Sequence, residues 1–272
     1  MTKNIAEQHE EPCVKLSLHD GIARVVLNRP AQLNSLNIDL ITSLLEVLNT
    51  LNSSRDLRVV ILSGSQQNFC SGLDVAGVMA DPKNIQWLLS SCDGYPHNKV
   101  QHLALGWRSL QVPVIAAIEG YCYGGGLQIA MGADMRIAHP DARLSVMEGR
   151  WGIIPDMGIS VTARGCVKED VLLRMTVTAE VVKGEAALGS GMVTEVADNP
   201  LERAEELAAL ICKRSPDMVE AAKRLLRDSY TQTDDERLAF EEKLQRRLLG
   251  SPNQMEAVMA NIEKRDPVFT SE

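Results

Sequence analysis

Short apolar runs alternate with helical segments in the first half of the chain, and this alternation constrains the fold more than any other feature. Residues 57–63 and 112–118 are rich in β-branched side chains, and each run leads into a glycine, as buried strands commonly do. Over residues 38–51 the apolar side chains instead recur with the period of a helix. This order of strands and helices predicts a layered α/β domain of the βαβ type.

The remaining segments continue this pattern and then become helical. We expect further strands over 14–18, 22–28, 135–138 and 143–146, and helices over 84–89, 97–110 and 127–131. Beyond Trp151 the pattern favours helices over 161–175, 184–190, 201–214, 216–230, 236–249 and 253–264. The predicted organisation is a disordered N-terminal tail over 1–12, a core over 13–197 and a helical C-terminal region over 198–272.

Composition and charge exclude several classes of protein. Of 272 residues, 45% are hydrophobic and 24% are charged, which is typical of a folded protein rather than a disordered one. The formal net charge of −8, without any run of Lys or Arg, disfavours nucleic acid as a partner. Apolar stretches shorter than the ~20 residues of a membrane span, and a polar N-terminus unlike a signal peptide, predict a cytoplasmic protein without membrane contact.

The cysteines and histidines give no sign of a metal site. Six cysteines and five histidines are scattered along the chain without the close spacing that zinc ligands require. We therefore expect no metal and no bound cofactor.

Two glycine-containing segments are candidates for binding negative charge. In the run FCSGLD at 69–74, the glycine allows a sharp turn that leaves a following N–H free for a ligand. In GYCYGGG at 120–126, consecutive glycines precede a predicted helix, whose first N–H groups attract anions. The spacing of a dinucleotide-binding G-x-G-x-x-G motif is absent from this sequence. Turns without any role in ligand binding would also explain both segments.

Two acidic residues are candidates for proton transfer. Glu148 and Asp156 lie among Met, Trp and Ile side chains in the segment MEGRWGIIPDMG at 147–158. We expect partial desolvation of both carboxylates, which would raise their pKa values towards the range useful at neutral pH. Helix caps or surface ion pairs would also account for such residues.

Taken together, these segments resemble the crotonase (enoyl-CoA hydratase/isomerase) superfamily. The resemblance rests on five motifs in family-like order: LNRP at 27–30, LNSL at 33–36, NFCSGLD at 68–74, PVIAAIEG at 113–120 and GADMRIA at 132–138. It implies a spiral of ββα turns, a helical C-terminal trimerisation region and an acyl-CoA thioester as substrate. Coenzyme A would then be part of the substrate, and the protein would assemble as a homotrimer or a dimer of trimers. An apolar stripe of Phe240, Leu244 and Leu248 is compatible with such a region.

The resemblance also implies roles for individual residues. Family enzymes hold the thioester carbonyl in an oxyanion hole of two backbone N–H groups, which match Leu73 and Gly125. Such amides stabilise the enolate that forms when a thioester loses a proton. The neighbouring positions expected to bind substrate are Cys70, Gly72, Asp74, Gly124 and Trp151.

The proton-transfer positions depart from the hydratase pattern. Hydratases of the family use two glutamates; the second matches Glu148, but the first falls on Gln128, which cannot take a proton from water at neutral pH. Asp156 occupies a position that is catalytic in the dienoyl-CoA isomerases. We favour hydration of a 2-enoyl-CoA, because it is the commonest activity among similar sequences. Two alternatives stay open: double-bond isomerisation of an enoyl- or dienoyl-CoA with Glu148 and Asp156, and catalytically silent binding of acyl-CoA.

Overall fold

The computed structural model describes residues 11–270 and contains two β-sheets surrounded by helices. A six-stranded sheet has the order β1-β2-β3-β4-β6-β9, and a three-stranded sheet has the order β5-β7-β8. The strands are β1 Val14–His19, β2 Ile22–Leu27, β3 Val59–Gly64, β4 Val114–Ile118, β5 Tyr121–Tyr123, β6 Met135–Ala138, β7 Arg143–Ser145, β8 Val182–Lys183 and β9 Glu195–Val196. The expected tail over 1–12 lies outside the described residues, except for residues 11 and 12.

The larger sheet is parallel apart from its first pair. Strands β1 and β2 form an antiparallel hairpin, whereas β2–β3, β3–β4, β4–β6 and β6–β9 are parallel pairs. Every residue of β4 is buried, as are the first five residues of β3. Strands covered on both faces lack the alternation of polar and apolar side chains, which explains their continuous apolar sequence.

The chain winds as repeated ββα turns. One turn consists of β4, β5 and the helix α5 (Gly125–Gly132), with one strand in each sheet. In the next turn β6 pairs with β4, and β7 pairs with β5 in parallel. The preceding turn places β3 beside β4 and pairs Cys70 with Cys122 of β5, ahead of the helix α2 (Val75–Met79). This repetition confirms the expected crotonase-like spiral.

The other helices cover the sheets and form the C-terminal part of the molecule. They are α1 Ile38–Asn52, α3 Pro82–Leu88, α4 Lys99–Ser109, α6 Ile159–Thr162, α7 Glu169–Thr178, α8 Gly184–Ser190, α9 Pro200–Cys212, α10 Pro216–Asp228, α11 Asp234–Leu248 and α12 Pro252–Glu263. The cap of α1 shows how the sequence sets a boundary, because the Asn37 side chain accepts a hydrogen bond from the N–H of Leu40.

The prediction of a single helix over 161–175 is wrong. Two helices, α6 and α7, occupy this segment, and Gly165 lies between them with a φ of +80°. A left-handed residue ends the helical hydrogen-bonding pattern, and a Cβ at this position would lie 2.9 Å from the ring of Tyr230. Helix α2 and the short strands β5, β8 and β9 were not predicted from the sequence.

The C-terminal helices are packed onto the spiral. Ala204 and Ala208 of α9 lie against the apolar face of the large sheet. Lys223 of α10 is buried, where its Nζ lies 2.8 Å from Asp134 Oδ2 and donates to the carbonyl oxygen of Val112 at 2.8 Å. Leu244 of α11 is buried as well, while Leu238 and Leu249 remain exposed. The predicted stripe therefore packs at least partly on its own chain.

No helix within residues 11–270 has both the length and the apolar character that a membrane crossing requires. Over the same residues, no cluster of three or more His, Cys, Asp or Glu side chains is arranged to hold a metal ion.

Candidate active site

The loop that follows Cys70 presents one free backbone amide. Cys70 is held against β5, because its N–H donates to the carbonyl of Tyr121 at 2.8 Å and its carbonyl accepts from the N–H of Tyr123 at 2.9 Å. Gly72 then turns with a φ of +97°, and a Cβ there would meet the carbonyl oxygen of Tyr123 at 3.0 Å. After this turn, the N–H of Leu73 has no hydrogen-bond acceptor among residues 11–270.

A second free amide lies at the start of α5. Gly124 has a φ of +49° and a ψ of −119°, a conformation open to glycine, and its own N–H donates to the carbonyl of Ser145 at 3.0 Å. Gly125 is the first helical residue, so its N–H has no carbonyl of an earlier turn to bind. Within the described part of the chain, this N–H is likewise without an acceptor.

The two amides are brought together by close packing. Leu36 pairs with Leu73 through an isolated parallel bridge, and a Cβ on Gly125 would lie 2.9 Å from Leu36 Cδ1. Gly126 lies so close to the other loop that a Cβ would be 2.6 Å from Cys70 Cβ. Two free N–H donors on such closely packed segments suit the binding of an oxygen that becomes negatively charged.

Glu148 provides a buried carboxylate next to the start of α5. It lies on a 3-10 turn, Met147–Trp151, and is 7% exposed. Its Oε1 accepts a hydrogen bond from Gln128 Nε2 at 2.6 Å, whereas its Oε2 has no hydrogen-bond partner within the described residues. A Cβ on Gly124 would lie 3.4 Å from Oε1, which places the carboxylate next to the turn that starts α5.

The surroundings of Glu148 raise its pKa. Burial in apolar surroundings is the largest cause, and the negative charge of Asp156 acts in the same direction. A hydrogen bond from its own backbone N–H and the one from Gln128 oppose this shift. A carboxyl group with a raised pKa is better matched to proton transfer at neutral pH than an ordinary one.

Gln128 is fixed between two partners. It is 1% exposed on α5; its Oε1 accepts from the N–H of Met157 at 2.9 Å, while its Nε2 donates to Glu148. Gln128 was predicted from the sequence as a site residue, whereas Met157 and Leu36 were not. Both are apolar residues, and their relation to the site depends on contacts that local sequence does not report.

Asp156 and Glu148 differ in their burial. Asp156 is exposed, and Trp151, Ile153 and Ile154 are exposed around it, at 62%, 56% and 75%. The expectation of a desolvated Asp156 is therefore wrong, because the apolar residues near it in sequence do not fold over its carboxylate.

The other predicted substrate-binding residues lie around the free amide of Leu73. Cys70 is fully buried; burial raises the pKa of its thiol to about 12, and its Sγ accepts from the N–H of Gly72 at 3.4 Å. Asp74 caps α2 by accepting from the N–H of Gly77 at 3.1 Å and pairs with Arg29 at 3.4 Å. The side chains of Cys70 and Asp74 thus hold the shape of the loop.

Two amide donors and one buried carboxylate suit the transfer of a proton at a carbon next to a carbonyl group, so fold and site together define an acid–base enzyme. The family model described as enoyl-CoA hydratase/isomerase matches residues 17–272. The chain therefore belongs to the enoyl-CoA hydratase/isomerase family, as the resemblance of its motifs predicted.

Individual relatives agree with this assignment. The chain is 31% identical over 256 residues to the short-chain-enoyl-CoA hydratase of Clostridium acetobutylicum, covering 93% of this chain and 95% of that one. It is 29% identical over 259 residues to the 2,3-dehydroadipyl-CoA hydratase of Escherichia coli, covering 93% and 97%. The crystal structure of enoyl-CoA hydratase from Bacillus anthracis superposes with a TM-score of 0.88 at 25% identity, over 96% of this chain and 100% of that one.

Proposed function

We propose that this enzyme moves the double bond of an enoyl-CoA thioester between the 3- and 2-positions. One observation carries the proposal: among the described residues, Glu148 is the one buried carboxylate, and its Oε1 lies next to Gly124, the residue before the free amide of Gly125. A double-bond shift needs a single group that removes a proton at one carbon and returns it at another. Gln128 cannot supply a second acid or base.

The reaction follows from the arrangement of these groups. The thioester oxygen would accept hydrogen bonds from the N–H groups of Leu73 and Gly125. Glu148 would remove a proton from C2, and the electron pair of the C–H bond would move through the carbonyl onto this oxygen as a dienolate forms. The protonated carboxyl would then return its proton to C4, and the negative charge would leave the oxygen. The amides are worth most at the charged stage of the reaction.

Hydration of a 2-enoyl-CoA is the second candidate. Relatives at 29–31% identity over most of the chain are named enoyl-CoA hydratases, which favours this reaction. Here Glu148 would take a proton from water as the oxygen attacks C3, and a proton would be delivered to C2. Because the described residues contain no second buried carboxylate, Glu148 would carry out both transfers or share them with the exposed Asp156.

Turnover of matched substrates tests the two reactions. We expect conversion of 3-hexenoyl-CoA to 2-hexenoyl-CoA to be faster than hydration of crotonyl-CoA, and Glu148→Gln to lower the faster rate by ~10²–10⁴-fold. Glu185→Gln, which changes an exposed carboxylate on α8, is the control. Faster hydration would establish the second candidate, and full activity of Glu148→Gln would overturn the proposed role of this residue.

Ligand binding tests the amides separately from proton transfer. Acetoacetyl-CoA forms a stable enolate, so we expect saturable binding in a calorimetric titration. Gly125→Pro removes one N–H at the first position of a helix and should weaken this binding. A Cβ at this position would also lie 2.9 Å from Leu36 Cδ1, so Gly125→Ala, which adds a Cβ and keeps the N–H, is the matched control, and Gly125→Pro should bind more weakly than this control. Saturable binding without turnover of any enoyl-CoA would support a silent acyl-CoA-binding protein instead.

We also propose a homotrimer or a dimer of trimers in the cytoplasm. Large apolar side chains are exposed on the C-terminal helices, among them Leu226 at 76% and Ile262 at 69%. Their burial between copies of the chain would remove apolar surface from water. Light scattering at micromolar concentration should report a mass of at least three chains, and a monomer would contradict the proposal.

A further inference from the structure

We propose that Gln128 is a positioning residue that reserves one oxygen of Glu148, Oε2, as the atom that carries the proton. The inference rests on the proposed function, because it concerns the carboxylate through which the reaction passes. Gln128 falls on the position of the first catalytic glutamate of the family hydratases. The proposed role of Gln128 is to orient Glu148 and differs from the proton transfer of that glutamate.

The orientation of the Gln128 amide follows from its neighbour. A backbone N–H can only donate, so the atom of Gln128 that lies 2.9 Å from the nitrogen of Met157 must be the acceptor Oε1. The opposite end of the amide is then the NH₂ group, and it faces Glu148 Oε1 at 2.6 Å. Because Gln128 is 1% exposed, solvent does not compete for these two contacts.

This orientation makes the two oxygens of Glu148 unequal. Oε1 faces an N–H donor, so a proton placed on Oε1 in that direction would meet another hydrogen. Oε2 has no hydrogen-bond partner within residues 11–270, although the carboxylate is buried. A buried polar atom without a partner is costly, and a substrate C–H would be its partner in the reaction. Oε2 is therefore the free site for the proton, and Gln128 with Met157 fixes its direction.

Two variants separate the contacts of Gln128. Gln128→Met has nearly the same length but makes neither hydrogen bond. Gln128→Glu keeps an acceptor for the N–H of Met157 and replaces the NH₂ donor by a second carboxylate. The negative charge of Asp156 also raises the pKa of Glu148. Asp156 therefore stays unchanged in both variants.

The dependence of kcat on pH is the first readout. Glu148 must be ionised to accept a proton, so activity falls as the pH drops through its pKa. Loss of an N–H donor to a carboxylate raises that pKa, and we expect the acidic limb of the profile to move up by about 1–2 pH units in Gln128→Met. Gln128→Glu should move the same limb upward, because two adjacent carboxylates share a proton before both ionise.

Isotope transfer is the second readout. If one oxygen of Glu148 carries the proton, part of the deuterium removed from C2 of 3-hexenoyl-CoA should be delivered to C4 of the product. This part is the retained fraction. Gln128→Glu offers the proton a second carboxylate, so we expect the retained fraction to fall at least twofold. A residue that only filled space would change neither the pH limb nor the retention. The position of the pH limb and the retained fraction of deuterium do not depend on the enzyme concentration, so partial loss of folded enzyme does not affect them.

The outcomes distinguish this inference from the proposed function. If Glu148→Gln is inactive while both Gln128 variants keep the parent pH limb and deuterium retention, the positioning role is refuted and the role of Glu148 stands. If Glu148→Gln keeps full turnover, the proposed function fails irrespective of Gln128. A pH limb shifted upward in both Gln128 variants, together with lowered deuterium retention in Gln128→Glu, would establish the inference.

Discussion

Gly126 is a single position where adding one methyl group should disable the site without touching a catalytic atom. In Gly126→Ala the new Cβ would lie 2.6 Å from Cys70 Cβ and 2.7 Å from the carbonyl oxygen of Cys70. The contacted atoms belong to the backbone and the fully buried side chain of Cys70, so they cannot move aside as the end of a flexible side chain could. The first turn of α5 and the loop before Leu73 must move apart.

The size of the displacement follows from ordinary contact distances. To reach 3.4 Å from 2.6 Å, the two segments must separate by about 0.8 Å. These segments carry the free amides of Gly125 and Leu73, so the two donors no longer fit one oxygen. A misplacement of about 1 Å costs roughly 100-fold in rate, and we expect a loss of this order in kcat/KM. Overpacking should also lower the free energy of unfolding by about 1–3 kcal/mol.

Steady-state turnover and titration with acetoacetyl-CoA measure the effect. Gly189→Ala is the matched control, because nothing lies within 4 Å of a Cβ at Gly189 and the residue is exposed on a helix. The control should keep parent activity and gain up to about 1 kcal/mol in stability. If Gly126→Ala is folded by circular dichroism and keeps the kcat/KM of the parent, the close approach of the two segments does not define the site.

Three further outcomes follow from the structure. Asp134→Ala leaves the buried ammonium of Lys223 without its carboxylate partner and should lower the free energy of unfolding in urea by about 3 kcal/mol. Lys213→Met breaks an exposed ion pair and should change that free energy by less than about 1 kcal/mol, so equal losses would contradict the reasoning. Asp156→Asn removes a negative charge that raises the pKa of Glu148, so the acidic limb of the pH–rate profile should move to lower pH. The shift should shrink in 1 M salt, and an upward shift would refute the assigned direction.

The long buried strands and the glycine turns were predictable because local sequence determines them, whereas the strands of two or three residues, β5, β8 and β9, were not. The buried strands β3 and β4 are continuous apolar runs, and the glycines that precede the free amides adopt positive φ values. Family motifs at 68–74 and 120–126 then indicated that these distant segments meet. The assignment of Leu73 and Gly125 as donors remains a prediction, but both amides are free within the described residues, as it requires.

Burial and orientation at the site depend on contacts between distant residues. Glu148 and Asp156 have similar apolar neighbours in sequence, yet one is buried and the other is exposed. Periodicity over 161–175 indicated one helix, and Gly165 interrupts it where Tyr230 from a distant segment packs. The direction of the Gln128 amide depends on Met157, 29 residues away. The local sequence pattern does not indicate such contacts between distant residues.

The replacement of an acid by Gln128 has an electrostatic consequence for Glu148. A carboxylate in this position would face another carboxylate in a buried site, and two like charges about 4 Å apart repel by about 4 kcal/mol at an effective dielectric constant near 20. One of them would then stay protonated at neutral pH, as in paired acids generally. The neutral amide removes this repulsion and donates a hydrogen bond that favours the ionised form. Burial raises the pKa of Glu148 while Gln128 lowers it, so the residue can both accept and return a proton. That balance suits a reaction with one proton carrier, in which the same oxygen must act as base and then as acid.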